Sequence, residues 1–227
     1  MYKIGIVGAN IREEQLKEYE DEYELWAVNN LFQRFKKIRW GKYFDIHDFS
    51  KVDSEFYSRR GFNYYPIDSD ITVKTYLEGL NNLTCIKFLK RKIDLIKDYA
   101  IFPFDALIKK YGEYFGCSFA WLTAFAIKQD PDEIGYFGTV LGGNEYYYQR
   151  PSTEYLIGIA KGLGIKIFNH QTSNLLKETY LYAAQEDFDL IYLLHGEFAK
   201  KLGMKIYTAI QEEINHFIWP KVKKNYR

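Results

Sequence analysis

Asp132-Glu-Ile-Gly-Tyr-Phe-Gly-Thr139 is an apolar run of strand length that ends in Gly138-Thr139. A polar and aromatic loop follows, carrying Asn144, Glu145, three tyrosines, Gln149 and Arg150. Pro151-Ser-Thr-Glu154 then opens a helix, and Ile165-Lys-Ile-Phe168 reads as the next strand. The stretch is a strand–loop–helix–strand unit whose polar residues fall between the carboxyl end of one strand and the start of the following helix. In an open α/β sheet that edge is where ligands bind.

The pattern repeats towards the N-terminus. Lys3-Ile-Gly-Ile-Val-Gly-Ala9 reads as a buried parallel strand with a tight turn ending at Asn10. Leu25-Trp-Ala-Val-Asn-Asn30 is a second strand, stopping at two asparagines, and Lys42-Tyr-Phe-Asp-Ile-His-Asp48 a third. The acidic segment Glu13 to Glu24 is the intervening helix, or a loop and helix. Alternation of strands with helical segments predicts an α/β fold, an open and mostly parallel sheet with helices on both faces. Between 50 and 110, Arg60 to Pro66 and Asp68 to Asp70 read as loop and Ile71 to Tyr76 as strand. The spacing of Ile86, Leu89, Ile93 and Ile96 predicts a helix over 87–97. Phe104 to Tyr111 is a short helix closed by Gly112, and Phe115 to Gln129 is a helix apolar nearly all round, hence buried. Asn169 to Ser173 forms a loop, and 174–218 reads mostly as helix. The expected organisation is an α/β domain over 1–173 and a helical extension over 174–227, packed on the domain or forming a homo-oligomer contact.

The totals narrow the functions. The chain has 227 residues, 31 Lys and Arg against 30 Asp and Glu, and a net charge of +1, so the basic excess of a phosphate-backbone binder is missing. Nucleic acid is not the favoured partner; a small molecule is. With 21 Tyr and 17 Phe, a single tyrosine carries little functional weight. Cys85 and Cys117 stand far apart in apolar surroundings, which suits a reducing compartment rather than a disulfide framework. No stretch has the length to span a bilayer and the N-terminus lacks a signal peptide's apolar core, so the expectation is a soluble, cytoplasmic protein.

Individual residues carry the chemistry. Gly5-Ile-Val-Gly8 has the wrong spacing for G-x-G-x-x-G. Gly8 serves equally as a tight structural turn and as a phosphate-side contact. Asp45 and His47, two apart on a strand, share a face, so the carboxylate can tune the imidazole as a general base. The plainer alternative is a histidine satisfied by a backbone carbonyl. Gly116, Cys117 and Ser118 start a helix whose backbone N–H groups can meet an anion. Glu145 and Arg150 stand among three tyrosines with no evident packing role, and Arg150 can take a phosphate. Ser152 reads as a helix cap. His47, His170, His195 and His216 are dispersed, so no metal site is expected.

These residues carry a resemblance. Leu25-Trp26-Ala-Val-Asn29, Phe44-Asp45-Ile-His47, and the block from Tyr114-Phe-Gly-Cys-Ser-Phe-Ala-Trp121 through Glu145-Tyr146 and Gln149-Arg-Pro151 to Gly164-Ile165 resemble a family of bacteriophage proteins. That layout is more distantly similar to Rossmann-like bacterial sialyltransferases and to hydroxymethylpterin pyrophosphokinase-like proteins. The resemblance implies a nucleotide or nucleotide-sugar ligand along the strand ends and group transfer from it. Asn10, Asn29, Asn30 and Ser118 would surround the nucleotide. Thr139 stands where those relatives have Asp. A second resemblance, of Pro151-Ser-Thr-Glu154-Tyr-Leu-Ile-Gly158-Ile-Ala160, is to the nucleophile helix of nucleoside deoxyribosyltransferases. It implies Glu154 as nucleophile in an N-glycosidase or deoxyribosyl transfer. A third expectation is a nucleotide-binding or sequestering protein without turnover.

Overall fold

The computed structural model describes residues 1–47, 73–141 and 149–177. Its strands are β1 (Lys3–Val7), β2 (Glu24–Val28), β3 (Lys42–Asp45), β4 (Ile86–Leu89), β5 (Tyr99–Ile101), β6 (Glu133–Phe137) and β7 (Lys166–Asn169). They form one sheet in the order β5-β4-β3-β2-β1-β6-β7, and every pairing is parallel. Helices α1 (Glu13–Lys17), α2 (Leu31–Arg34), α3 (Val73–Asn81), α4 (Phe104–Tyr111), α5 (Ser118–Lys128) and α6 (Arg150–Gly162) flank it. This is an open α/β sheet of the Rossmann-like kind. Parallel strands need crossovers, and crossovers bring helices over both faces, which is why β1, β2 and β6 read as unbroken apolar runs.

Register decides what each face buries. Ile6 lies beside Trp26 and Tyr136, and Phe44 beside Phe88, so these side chains share a face. α5 covers it: Phe125 packs 4.9 Å from Phe88, 5.6 Å from Trp26 and 5.8 Å from Phe44, ring centre to ring centre. Thr123 Oγ1 lies 2.9 Å from the buried Tyr136 hydroxyl. A helix sunk this far must be apolar on nearly every side, and Leu122 through Ile127 are all buried. Each such large side chain contributes roughly 1.5–3 kcal/mol by leaving water. The opposite face holds Tyr43 and Asp45 under α2 and α3. Near β6 and β7 it carries an aromatic cluster of Tyr19, Tyr23, Phe137 and Phe168. Gly5 and Gly135 make room for that cluster, since a Cβ on either would come 2.7 Å from Leu25 or Phe137.

Two expectations fail. The described part of the expected strand from Ile71 to Tyr76 is helix instead: Val73–Asn81 is helical, burying Tyr76 and Leu80 one turn apart. The β-branched run that argued for a strand is outweighed by this packing. Nor is 87–97 a helix. Ile86–Leu89 is β4, held between β3 and β5, with Phe88 stacked 4.9 Å from Phe44. Ile93 and Ile96 belong to the turn that follows, so their helical spacing is a coincidence of two structures read as one. The three-residue β5 has no counterpart in the reading of the chain. The expected helical extension falls almost wholly on 178–227, outside the described residues. Among the described residues no helix is long and apolar enough to cross a membrane.

Candidate functional site

β1 is where the sheet's order turns: β2 to β5 are laid down on one side of it, β6 and β7 on the other. Connections therefore diverge above its carboxyl end and leave a crevice, the usual ligand position in such sheets. A cleft of about 400 Å³ occupies it. Gly8, Ala9 and Asn10 line it after β1, Asn29 and Asn30 after β2, His47 after β3, Gly138 and Val140 after β6. Cys117, Ser118, Phe119 and Gln149 complete the wall. The volume falls in the range of small-molecule sites.

The floor is close backbone. Gly8 N–H donates to Phe137 O at 2.8 Å and Asn10 N–H to Gly138 O at 2.9 Å, so the β1 and β6 loops run on together beyond the sheet. A Cβ on Gly8 would lie 2.5 Å from Gly138 O. Gly138 has φ +61°, a conformation glycine adopts without penalty. The Asn10 side chain donates to Thr172 O at 3.2 Å.

On the β2 side, Asn29 sits at φ +55°, tolerable for asparagine. Its N–H donates to Phe44 O at 3.0 Å, and its own carbonyl takes the hydroxyl of buried Tyr43 at 2.8 Å. The same hydroxyl accepts from Phe32 N–H at 2.7 Å, fixing the start of α2. Asn29 Oδ1 is buried and has no hydrogen-bond partner among the described residues, and Asn30 precedes α2 without capping it by its side chain.

His47 is the reactive candidate. Its Nδ1–H donates to Asp45 Oδ1 at 2.8 Å, while Asp45 Oδ2 accepts from the Tyr76 hydroxyl at 2.5 Å. Asp45 is 1% exposed and the His47 side chain 26%. Burial presses the His47 pKa down, and the charge of Lys90 does too; the hydrogen bond and charge of Asp45 outweigh both and raise it above 6.5. The strand places Asp45 behind His47, which lies two residues past it in the following loop, so only His47 reaches the cleft.

α5 begins at Ser118 with Cys117 extended before it and no side-chain cap bond, so its first-turn amides, which have no partner inside the helix, start at the cleft wall. Burial pushes the Cys117 thiol up, against the Thr153 hydroxyl and the Ala120 and Phe119 amides, so Cys117 is a packed thiol rather than a nucleophile.

Other sequence candidates are not brought to this cleft. Thr139 is fully buried and its carbonyl accepts from the Ser173 hydroxyl at 2.9 Å and Asn174 N–H at 3.2 Å, holding the loop after β7. Arg150 donates to Glu154 Oε1 at 2.7 Å across one helical turn, and the same oxygen takes Leu176 N–H at 2.7 Å. Both side chains serve the fold here; neither lines the cleft. Ser152 is not the cap of α6, which starts at Arg150. It is fully buried, donates to Gln149 O and accepts Gly116 N–H, both at 3.0 Å, tying α6 to the approach of α5. Glu145 lies outside the described residues. Among the described residues no cluster of three His, Cys, Asp or Glu is placed to hold a metal.

Sequence reading missed Tyr43, Tyr76 and Thr172. Tyr43 is one of 21 tyrosines, and Tyr76 stood in the segment misread as a strand. A helical reading would have shown the Tyr76/Leu80 stripe. Thr172 links Gly138 N–H, accepted at 3.0 Å, to His170 Nδ1 at 2.7 Å. Comparison of the chain with known protein families, with curated proteins and with solved structures finds no match.

Proposed function

We propose that the cleft binds a nucleotide and that the protein is a transferase using a nucleotide-activated donor, with His47 as general base. One observation carries the reading: a carboxylate-backed histidine opens onto the same crevice as the start of an eleven-residue helix and a glycine-tight turn. The helix start supplies fixed dipoles for phosphate oxygens. Gly8 and Gly138 let a ligand approach the backbone, and Asn10, Asn29 and Asn30 offer amides to ribose or base. The strand-end resemblance of Leu25 to Asn29 and Phe44 to His47 supports the same class.

With Nδ1 engaged by Asp45, His47 works through Nε2, taking the acceptor hydroxyl's proton as its oxygen attacks the donor carbon. The carbon–oxygen bond to the phosphate breaks, and the nucleotide leaves with that electron pair, its charge met by the α5 amides. Asp45 balances the imidazolium.

Nucleotide or nucleotide-sugar is expected to raise the melting temperature in proportion to binding. His47→Ala should keep that shift while lowering transfer by about 10²–10⁴-fold. Full turnover in the variant removes His47 from the mechanism. Tight binding without any transfer in the native protein would instead favour a sequestering role. Release of free base from nucleosides that stops in Glu154→Gln would restore the glycosidase reading, which the pairing of Glu154 with Arg150 and Leu176 does not support.

A further inference from the structure

We propose that Tyr76 is a positioning residue for His47, the means by which α3 holds the base of the cleft in place. The inference rests on His47 being that base. Tyr76 and Asp45 are each 1% exposed. The carboxylate between them has a separate donor on each oxygen: the Tyr76 hydroxyl on Oδ2 at 2.5 Å and His47 Nδ1–H on Oδ1 at 2.8 Å. The two donors come from different elements, 31 residues apart for Tyr76 and Asp45. A carboxylate with one donor turns easily, because its last torsion is broad and two-fold. A second donor on the other oxygen fixes the plane of the group, and with it the edge of the imidazole.

Tyr76 is itself held. Its ring packs 5.2 Å from that of Phe32, and Gly79 one turn on leaves space for the same ring, since a Cβ there would stand 2.7 Å from Phe32 Cε2. Phe32 N–H in turn bonds to Tyr43. The two buried hydroxyls on this face contrast in their acceptors. Tyr43 donates to a backbone carbonyl and accepts from Phe32 N–H, so its hydroxyl serves the backbone. Tyr76 meets the one carboxylate that backs the cleft histidine. It therefore also draws charge from Asp45, moderating how strongly that group holds a proton on His47. Among the described residues, Asp45 from β3, Lys90 from the turn after β4, and Tyr76 from α3 through Asp45 act on His47.

The test follows protons rather than turnover. In the native protein, the Tyr76 phenol carbon bearing the hydroxyl should show a carbon-13 NMR inflection at the His47 titration midpoint. In Tyr76→Phe the His47 midpoint should rise by roughly half a unit, the scale of one hydrogen bond's net effect on a neighbouring charge. A Tyr76 signal flat across the His47 titration overturns the proposal. So does an unchanged His47 midpoint in a Tyr76→Phe protein with native near-ultraviolet dichroism. If that variant fails to fold, the native titration decides alone. Because no substrate is involved, the proposal can fall while transfer is demonstrated, or stand while none is found.

Discussion

The two flanks of β1 treat their polar residues differently. On the β2–β3 flank, Asn29, Asn30 and His47 line the cleft, and the groups that steady them lie underneath: the hydroxyls of Tyr43 and Tyr76 and the carboxylate of Asp45. On the β6–β7 flank, the side chains of Arg150, Ser152 and Glu154 are engaged with the protein's own loops and helix starts, and Thr139 is tied in through its carbonyl. Both flanks look alike in sequence, strand tips rich in polar side chains. What separates them is whether nearby backbone needs those side chains. A tip whose loop is already satisfied by buried hydroxyls from below can present its side chains outward.

That contrast can be broken. The largest effect is expected at the seam between the flanks, from Gly138→Ala. The residue sits at φ +61°, and an added Cβ would stand 2.8 Å from backbone atoms of Asn10 and Ile11. A loss of about 2–4 kcal/mol in denaturant unfolding, together with nucleotide binding, is expected. A variant of native stability would mean the two loops are not locked together. Next, Glu154→Gln weakens the hold on Arg150 and Leu176 N–H and should lower stability by about 1 kcal/mol while leaving nucleotide binding intact. Lost binding at unchanged stability would move Glu154 to the cleft's side of the comparison.

The smallest effect is a pH dependence. The folded pKa of His47 lies above its unfolded value, so its contribution to stability is complete below about pH 6.5 and fades as pH rises through the folded value. Replacing His47 with Gln should flatten that limb of the curve. The rate of transfer should run the opposite way, rising as the imidazole loses its proton. A falling rate over the same range would argue against a base.

Legibility in the sequence followed the same division. Strands buried on both faces announce themselves as apolar runs, so β1, β2, β6 and β7 could be located within a residue or two; β3 starts at Lys42 as expected but ends at Asp45, short of the expected Asp48. β4 and α3 could not, because each is decided by what it packs on: Phe88 on Phe44, Tyr76 on Phe32. The reading of Asp45 and His47 as partners rested on the period of a strand, whereas β3 ends at Asp45 and His47 reaches back to it from the loop. The pairing of Glu154 needed coordinates, since nothing in Pro151-Ser-Thr-Glu154 tells of Leu176 arriving at its carboxylate.

The partners of β1 arrive at very different times. β2 is complete within 28 residues of the N-terminus, whereas β6 pairs with β1 only once residue 133 has been made, closing through Asp132 N–H to Tyr2 O at 2.8 Å. Closing so long a loop is slow and must precede the contacts that reward it. During synthesis the nascent chain therefore carries half a crevice for as long as it takes to add a hundred residues. Occupancy of the cleft becomes a report that the first and sixth strands of the sheet have met, and a chain cut short after α4 should hold no ligand, however well its first five strands assemble.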